Sequence, residues 1–519
     1  MTASYNLLTE PWIPCVLTTG ERVEFGLRET FRRAGVIATI PHASPLVEVA
    51  VFRLLLVILH RVANGPRSME DWKRLWTGRS FDEAALDAYF DRWASRFDLF
   101  DSEYPFMQVG GLALIDGTGA ESPPDTPARL VIERASGNNA TLFDHAFDDV
   151  PEAMPSASAA LHLLAAQTWA LGGGKGPSSN RFGEHPYASH APMVGRVHVR
   201  VQRANLFETL VANATGLLPG GATATPGDQP VWERDEHRQP GVRRPDGLLD
   251  LLTFPARAVR LHPNATGAMV TGVVSAPGLK VVDKDTDWQP QWDPAVATRA
   301  TKEGIRTVYL SESRATWRDV GALLAITHAD GQHDGRPGVI RHAADRGVQR
   351  VMGRAPVQAI VAVGLANDKA KPLLWCRDEL NVHVRLLEES PLVAAIVTGV
   401  ELAEQVASKA VRFALKRVAL EALSSGSDRV QPLSDSMWEH GSYWADLERA
   451  FARYAIDIGV DEVESGLAWR EAIRTAARDH FRKATSSIRT DSRGLRAVAI
   501  GESELQRSLA QLLLTPEVA

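Results

Sequence analysis

PLVAAIVTGVELAEQVASKAVRFALKRVALEAL, residues Pro391 to Leu423, has the clearest periodicity in the chain. Its apolar residues recur at intervals of three and four, which is the spacing of one face of an α-helix. Three further segments repeat this pattern after short polar breaks: Ser434 to Ile458, Glu462 to Ile488 and Gly494 to Leu514. Four helices with short connections predict an antiparallel four-helix bundle. We therefore expect a helical domain over residues 391–519.

The chain before residue 390 mixes helical and strand patterns. Ser44-Pro45 is a typical helix start, and an apolar helix is expected from there to about Val62. Arg196 to Gln202 alternates Val with polar residues, as a strand does. Val357 to Leu365 and Leu373 to Arg377 predict a hairpin with a polar, partly basic tip. The predicted fold class is α+β: a large mixed α/β domain over residues 1–390, followed by the bundle.

Composition limits the class of protein. A chain of 519 residues exceeds what one hydrophobic core usually supports, and its formal net charge of -6 argues against a wholly basic nucleic-acid coat. Cys15 and Cys376 are far apart, which predicts neither a disulfide framework nor a cysteine zinc site. The first residues lack the pattern of a signal peptide, and the apolar run Leu46 to Leu59 is too short to cross a bilayer. We expect a cytoplasmic protein.

A glycine-rich stretch, Ala170 to Phe182, reads ALGGGKGPSSNRF. Three consecutive glycines, Gly172 to Gly174, are useful mainly where φ is positive or where another backbone comes very close. With Lys175 and Arg181 beside them, they are suited to a phosphate backbone or to the edge of a groove. The stretch is not a P-loop, because no hydroxyl residue follows Lys175. A flexible surface turn is the alternative.

A row of arginines follows one face of the third C-terminal helix. They recur every fourth residue: Arg470, Arg474, Arg478 and Arg482. Like charges at this spacing repel unless acids or phosphates neutralise them, and Glu471 and Asp479 are close in sequence. Two interpretations stay open, a solvated face and a track for nucleic acid.

No catalytic constellation stands out. The strongest candidate is a loop with two imidazoles and two carboxylates that could hold a divalent metal: His328, Asp330, His333 and Asp334. A plain polar turn is the favoured interpretation, because no further ligand set is evident. Glu184, His185 and His190 form a second cluster after the glycines, where a histidine contact to phosphate or base is as plausible as a ligand role. We expect no cofactor.

Several short motifs occur together in a characteristic order. They are Asn6-Leu7-Leu8 with Trp12-Ile13-Pro14, Pro105 to Gln108, the loop from Ser136-Gly137 to Phe143, the triple glycine with Lys175, and the C-terminal helices. In this order and spacing the chain resembles the CasA family, the large subunits of Cascade, the type I-E CRISPR surveillance complex. The resemblance covers nearly the full chain and is weakest over residues 215–350.

The resemblance implies a non-catalytic subunit that recognises the protospacer-adjacent motif of double-stranded DNA, largely from the minor groove, and opens the duplex with a hairpin wedge. It implies as partners the other Cascade subunits, the CRISPR RNA 5′ end, the target DNA and a helicase-nuclease recruited after target binding. The family's DNA contacts would fall on Gly172, Gly173, Gly174 and Lys175, on the wedge residues Asn367, Asp368 and Lys369, and on either Lys280 or Lys284. Asn139, Leu142 and Phe143 lie in the segment that resembles the anchor to neighbouring subunits and the RNA.

Two rival functions stay open from the sequence. The first is a metal-dependent nuclease centred on His328 and its neighbours, and DNA cleavage with magnesium or manganese distinguishes it. The second is a scaffold that binds only protein partners, which a bulky residue at Gly173 would leave unaffected.

Overall fold

The structure of the protein is a computed structural model. It describes residues 3–116, 118–133, 152–174, 179–180, 183–184, 187–215, 227–235, 241–281, 292–301, 304–310, 316–324, 336–353, 355–368, 371–423, 428–488 and 491–514.

The helices of the described residues comprise seven in the N-terminal part, three near the middle and seven in the C-terminal part. They are α1 (Leu27–Arg32), α2 (Pro45–Val62), α3 (Met69–Gly78), α4 (Glu83–Arg92), α5 (Ser156–Trp169), α6 (Leu206–Asn213), α7 (Leu248–Leu252), α8 (Val320–Leu324), α9 (Gly338–Ala344), α10 (Arg346–Met352), α11 (Arg385–Glu388), α12 (Ser390–Gln405), α13 (Arg412–Ala422), α14 (Val430–Glu439), α15 (Tyr443–Asp457), α16 (Glu462–Ala484) and α17 (Ser492–Leu512). A π-helical turn, Val406–Val411, joins α12 to α13.

The strands form several small sheets. They are β1 (Ile13–Leu17), β2 (Arg22–Phe25), β3 (Ile37–Thr39), β4 (Leu114–Ile115), β5 (Met154–Pro155), β6 (Gly173–Gly174), β7 (Ser179–Asn180), β8 (Gly183–Glu184), β9 (Tyr187–Ala188), β10 (Val197–Gln202), β11 (Gly241–Arg243), β12 (Arg257–Pro263), β13 (Met269–Pro277), β14 (Leu279–Val281), β15 (Thr298–Thr301), β16 (Gly304–Thr307), β17 (Val357–Asp368) and β18 (Lys371–His383). The three-stranded sheets have the orders β2-β1-β3, β10-β17-β18, β12-β13-β5 and β4-β7-β8, and the pairs are β11-β14, β15-β16 and β6-β9. The mixture of helix and sheet confirms the α+β class.

The chain forms two compact units. The first contains residues 1–316, 327–354 and 359–379, and the second contains 317–326, 355–358 and 380–519. The predicted division at residue 390 is close to the start of the main segment of the second unit, but it does not anticipate the two earlier segments.

Helix α2 is the central element of the first unit. It begins at Pro45 as predicted, and it packs on α5 with nearly all its residues buried. The two charges that interrupt its apolar run are paired inside: Arg53 forms an ion pair with Asp293, and Glu48 accepts a hydrogen bond from Arg200 at 3.2 Å. Since a buried charge without a partner is very unfavourable, these pairs let a charged helix occupy the core.

The second unit is built on aromatic and helical packing. Trp317 stacks on Phe451 with ring centroids 4.6 Å apart, and Arg318 lies 3.8 Å from the ring centroid of Trp444. Helix α13 packs along α17, and α15 packs along α16. The segment Ser390–Ala422 has the length and composition to cross a membrane, but nearly half of its most apolar window is buried against this unit, as in the core helix of a folded domain.

One predicted helix is divided in two. Ser434 to Ile458 was expected to be continuous, whereas α14 ends at Glu439 and α15 begins at Tyr443. A Cβ at Gly441 would collide with the imidazole ring of His480, so the chain turns at a residue without a side chain. Nδ1 of the same ring accepts a hydrogen bond from the Tyr443 N–H at 3.2 Å. A buried histidine from another helix therefore occupies the break. The finer arrangement, an antiparallel four-helix bundle, stays a prediction.

Candidate functional site

The three consecutive glycines belong to a short antiparallel ladder. Gly173 pairs with Ala188, and Gly174 pairs with Tyr187. Beside this pair, the Gly172 N–H donates to Nδ1 of His190 at 2.9 Å. We name residues 172–174 and 187–190 the glycine ladder. It presents main chain and almost no side chains along one strand.

The absence of a side chain at Gly172 has a reason within the chain itself. A Cβ there would lie 2.8 Å from the Ala188 carbonyl oxygen and 2.9 Å from the backbone nitrogen of His190. Both distances are shorter than a carbon atom tolerates, so any other residue would push the two strands apart. The close approach predicted for this stretch is therefore made, at Gly172, by the protein's own backbone.

A buried arginine on β12 holds the base of the glycine ladder. Nη1 of Arg257 donates to the carbonyl oxygens of Ser189 and Ala256, both at 2.7 Å. Nη2 donates to those of Ala170 at 3.0 Å and Leu171 at 2.8 Å. The guanidinium thus bonds to the residues on both sides of the ladder. Its planar fork suits this task, because several donors point in fixed directions.

Arg257 also brings a positive charge next to the residues that flank the glycines. Its side chain is 4% exposed, and it makes no ion pair with the acidic residues that the structure describes. Burial lowers the pKa of Arg257 from 12.5 to about 10, which leaves the group charged at neutral pH. Carbonyl dipoles, rather than a carboxylate, stabilise this charge. Among the described residues, therefore, no acid cancels this positive potential locally.

The strand that carries Lys280 is bonded to the same backbone. Leu279 N–H donates to Pro255 O at 2.9 Å, and Gly278 N–H donates to Ala256 O at 3.3 Å. Lys280 itself is half-buried and pairs in register with Val242 of β11, which runs parallel to β14. The residues before Lys280 are thus bonded to the residues that precede Arg257.

The hairpin predicted as a wedge belongs to the same hydrophobic cluster as Leu171, the residue before the glycine ladder. Leu171 packs against a cluster that includes Leu365 of β17 and Trp375 of β18. The strands are longer than predicted, because β17 continues to Asp368 and β18 begins at Lys371. Asn367 and Asp368 are therefore strand residues rather than part of a loop, which corrects the predicted hairpin tip. Asn367 is half-buried and Asp368 is exposed.

The arginine row on α16 lies in the second unit and is partly neutralised. Arg474 pairs with Glu471, and Arg482 pairs with Asp479 at 2.7 Å, as the acidic neighbours suggested. Arg478 donates to the Gln506 side chain at 2.8 Å. Arg470 makes no ion pair within the described ranges. The row therefore contains two ion-paired arginines and, among the described contacts, two that no acid neutralises.

Several predicted site residues lie outside the described residues. These are Lys175, Lys284, Lys369, Asn139, Leu142 and Phe143, together with the nuclease candidates His328, Asp330, His333 and Asp334. Within the part of the chain that the structure describes, no group of three or more His, Cys, Asp or Glu side chains could hold a metal ion.

Arg257 is the residue that sequence reasoning missed. It occurs in a strand with the sequence RAVRLHP, where nothing separates it from an ordinary surface arginine. Its partners lie 68 or more residues earlier in the chain, apart from its own neighbour Ala256. Tyr187 was also missed: it lies opposite Gly174 and is 77% exposed, an unusual state for an aromatic residue. A sequence signal for it would have been an aromatic residue close to consecutive glycines.

Comparisons with known proteins agree over nearly the whole chain. The family model described as CRISPR-associated protein Cse1 matches residues 6–480. The curated CasA/Cse1 protein of Thermus thermophilus is 32% identical, covering 98% of both sequences. A crystal structure of CasA from the same organism superposes with a TM-score of 0.80 at 28% identity, covering 98% of this chain and 99% of that one.

The fold also occurs inside a larger assembly. A chain of a structure described as a CRISPR RNA-guided surveillance complex matches with a TM-score of 0.75 at 20% identity, covering 99% of this chain and 100% of that one. At this identity the likeness concerns the fold alone. The family match and the Thermus relative carry the assignment: this chain belongs to the CRISPR-associated CasA/Cse1 family.

Proposed function

We propose that this chain is the large, non-catalytic subunit of a type I-E CRISPR RNA-guided surveillance complex, Cascade, and that it recognises the protospacer-adjacent motif of double-stranded DNA. Membership of the CasA/Cse1 family supports the placement in such a complex. The observation that carries the DNA role is the glycine ladder, a strip of main chain whose neighbouring carbonyl groups, on Leu171 and Ser189, bind the buried cation Arg257.

The geometry fits a groove reader. The minor groove presents mainly acceptors, and A·T and T·A pairs look alike there, so a few donors and a closely placed backbone recognise a short permissive motif. Side chains at Gly173 or Gly174 would keep the main chain away from the groove. A positive charge next to the strip attracts phosphates. Lys280, on a strand bonded next to Arg257, is the lysine we assign to this groove.

The β17–β18 hairpin is our candidate for the wedge. It shares a hydrophobic cluster with Leu171, so its position relative to the glycine ladder is set by packing. A rigid two-stranded element beside the motif can separate the first base pairs, with Asn367, Asp368 and Lys369 at its end. Pairing with the guide RNA then replaces the DNA pairs in a nearly balanced exchange, so no ATP site is required.

The remaining roles follow the family. Asn139, Leu142 and Phe143 would anchor the subunit to its neighbours and to the CRISPR RNA 5′ end. The second unit, which we interpret as a four-helix bundle, would hold flanking DNA along Arg470 to Arg482 and support recruitment of the helicase-nuclease. All of this would take place in the cytoplasm.

The test is a substitution of Gly173 by leucine, with target binding measured on the assembled complex. We expect affinity for a motif-bearing duplex to fall roughly tenfold or more, because a side chain at this position holds the backbone away from the groove. Gly35 is the matched control, since it is exposed and a Cβ there meets nothing within 4 Å. Gly35→Leu should bind like the unchanged complex.

Assembly of the complex must be normal for the comparison to count, and native mass spectrometry measures it. Unchanged affinity of the Gly173→Leu complex would favour a protein-only scaffold instead. Incubating the purified chain with DNA and magnesium or manganese tests the nuclease alternative, and we expect no cleavage.

A further inference from the structure

His190 has a defined tautomer in this structure. Its Nδ1 accepts a hydrogen bond from the Gly172 backbone N–H at 2.9 Å. A backbone amide only donates, so Nδ1 must be unprotonated, and the neutral ring carries its proton on Nε2. The side chain is exposed, and Nε2 has no hydrogen-bond partner among the residues described. A donor is therefore presented at the surface beside the bare strand.

The ring is also held in its neutral form. Burial of part of the ring, followed by the charges of Arg257 and Arg196, lowers the pKa of His190 below its usual 6.5. Protonation would in addition place two donors, Nδ1–H and the Gly172 N–H, against each other. At neutral pH the imidazole thus acts as an uncharged donor rather than as a cation.

The backbone on both sides of His190 is anchored. The Ser189 carbonyl accepts from Nη1 of Arg257 at 2.7 Å, and the Ala191 N–H donates to Ala170 O at 2.9 Å. The third restraint is the bond from Gly172 to the ring itself. Three hydrogen bonds therefore fix the direction of the Nε2–H before any ligand arrives, which reduces the entropy lost on binding.

We propose that His190 is a further DNA-contacting residue of this subunit, and that its Nε2–H donates to a minor-groove acceptor, purine N3 or pyrimidine O2, within the recognised motif. The inference rests on the proposed function and deepens it by naming one donor. Minor-groove edges of A·T pairs present only these acceptors, so a neutral donor matches them where a carboxylate would be repelled. Being uncharged, the ring lacks the long-range attraction to phosphates that a cation has, and the base substitutions below distinguish a groove acceptor from a phosphate oxygen.

The decisive variant is His190→Asn. The asparagine Oδ1 occupies about the place of Nδ1, so it can still accept from Gly172, but no donor reaches the place of Nε2. We expect the assembled complex to lose about three- to tenfold in affinity for a motif-bearing duplex, the effect of one hydrogen bond. His440→Asn is the matched control, because His440 is an exposed histidine on the boundary of α14 whose Nδ1 also bonds to the backbone, at Ser436.

The second arm removes the partner from the DNA. Replacing each motif adenine in turn by 3-deazaadenine deletes N3 and leaves base pairing intact. At one position the unchanged complex should lose the same factor as the His190→Asn complex, and the two changes together should cost no more than either alone. The same substitutions are made at the other bases, with 3-deazaguanine for guanine and 2-thio analogues for thymine and cytosine. Additive losses at every position of the motif would overturn the contact.

A third readout does not depend on DNA. In protein labelled with ¹⁵N-histidine, the His190 signal, assigned by its loss in His190→Asn, should show the neutral Nε2–H form at pH 7. A charged ring or the Nδ1–H form would overturn the inference. If Gly173→Leu abolishes motif binding while His190→Asn leaves it unchanged, the inference about His190 is wrong and the proposed function stands. If neither Gly173→Leu nor His190→Asn weakens motif binding, both the proposed function and the inference about His190 are wrong.

Discussion

At the scale of single residues, the buried side chain of Arg257 stabilises backbone on both sides of the glycine ladder. It donates to four carbonyl oxygens, and two of these, on Ala170 and Ala256, also accept from the backbone N–H groups of Ala191 and Gly278. The other two, on Leu171 and Ser189, depend on the guanidinium for their hydrogen bonds among the described contacts. Removing it would leave the carbonyl groups of these two half-buried residues without their hydrogen bonds.

We therefore expect Arg257→Met to loosen the glycine ladder and to lower the free energy of unfolding by about 1–3 kcal/mol, since a buried unpaired acceptor costs about that much and these two carbonyls are half-buried. Hydrogen exchange of the Gly172 and Ala191 amides measures the local effect, and thermal unfolding measures the global one. Arg260→Met is the control, because Arg260 lies on the same strand and makes only a 3.4 Å bond to Leu112 O. Exchange as slow as in the unchanged protein would contradict this role. Arg257→Lys should keep only part of the protection against hydrogen exchange, because an ammonium lacks the planar fork of the guanidinium.

At the scale of an element, the arginine row of α16 is divided by its neighbours. Glu471 and Asp479 already occupy Arg474 and Arg482, so a phosphate would have to compete with a carboxylate there. Exposed pairs of this kind contribute only about 0–1 kcal/mol, so they are structural neighbours rather than strong bonds. Arg470 and Arg478 have no such competitor in the described contacts. If the row binds DNA, substitutions of Arg470 and Arg478 should weaken that binding most.

The corresponding prediction compares two double variants in the assembled complex. Arg470→Glu with Arg478→Glu should weaken target binding and reduce the slope of log K against log salt by about two, because each lost phosphate contact removes about 0.9. Arg474→Glu with Arg482→Glu should change the slope less. Equal slopes for both variants and the unchanged complex would assign the row to a solvated face.

At the scale of the whole molecule, buried and half-buried histidines make the fold sensitive to acid. Desolvation lowers the pKa of four of them: to about 4 for His60 and His342, to about 3 for His198, and to about 4 for His480. The unfolded chain binds these protons near pH 6.5 and the folded chain does not, so stability falls as the pH drops below about 6.5. Asp228, whose pKa burial raises, acts in the opposite direction.

We expect the melting temperature to fall between about pH 7.5 and 5.5, with each such histidine removing about 1 kcal/mol at the lower pH. His198→Leu should make this dependence shallower, because both nitrogens of His198 lack a partner among the described residues and its ring is surrounded by Arg53, Arg200 and Asp293. His440→Gln, at an exposed histidine, should not change it. If the melting temperature depends on pH equally in the unchanged protein, His198→Leu and His440→Gln, then His198 does not contribute to the acid sensitivity in this range.

The sequence predicted features that depend on neighbouring residues better than features that depend on contacts between distant residues. Helix α2 begins at Pro45, as the Ser44-Pro45 pair predicted, although the Ser44 hydroxyl makes no capping hydrogen bond, and β10 covers Val197–Gln202, as its alternation predicted. Proline at the first helical position and side-chain alternation are local properties. The break between α14 and α15 was missed, since its cause, the ring of His480, comes from another helix. The hairpin was predicted but its strands were expected to be shorter, because β17 is paired to β10 far from it in sequence.

By itself the sequence determined the α+β class, the helical C-terminal part, a glycine strip suited to a close approach, and a motif order that resembles one family. It did so because periodicity, capping and motif order depend on neighbouring residues. Only the tertiary structure decided that Arg257 binds the carbonyl groups of Leu171 and Ser189, that Gly172 fixes the tautomer of His190, and that the β17–β18 hairpin packs in one cluster with Leu171. Hydrogen bonds and packing contacts between residues far apart in the chain create these relations, and no local pattern encodes them.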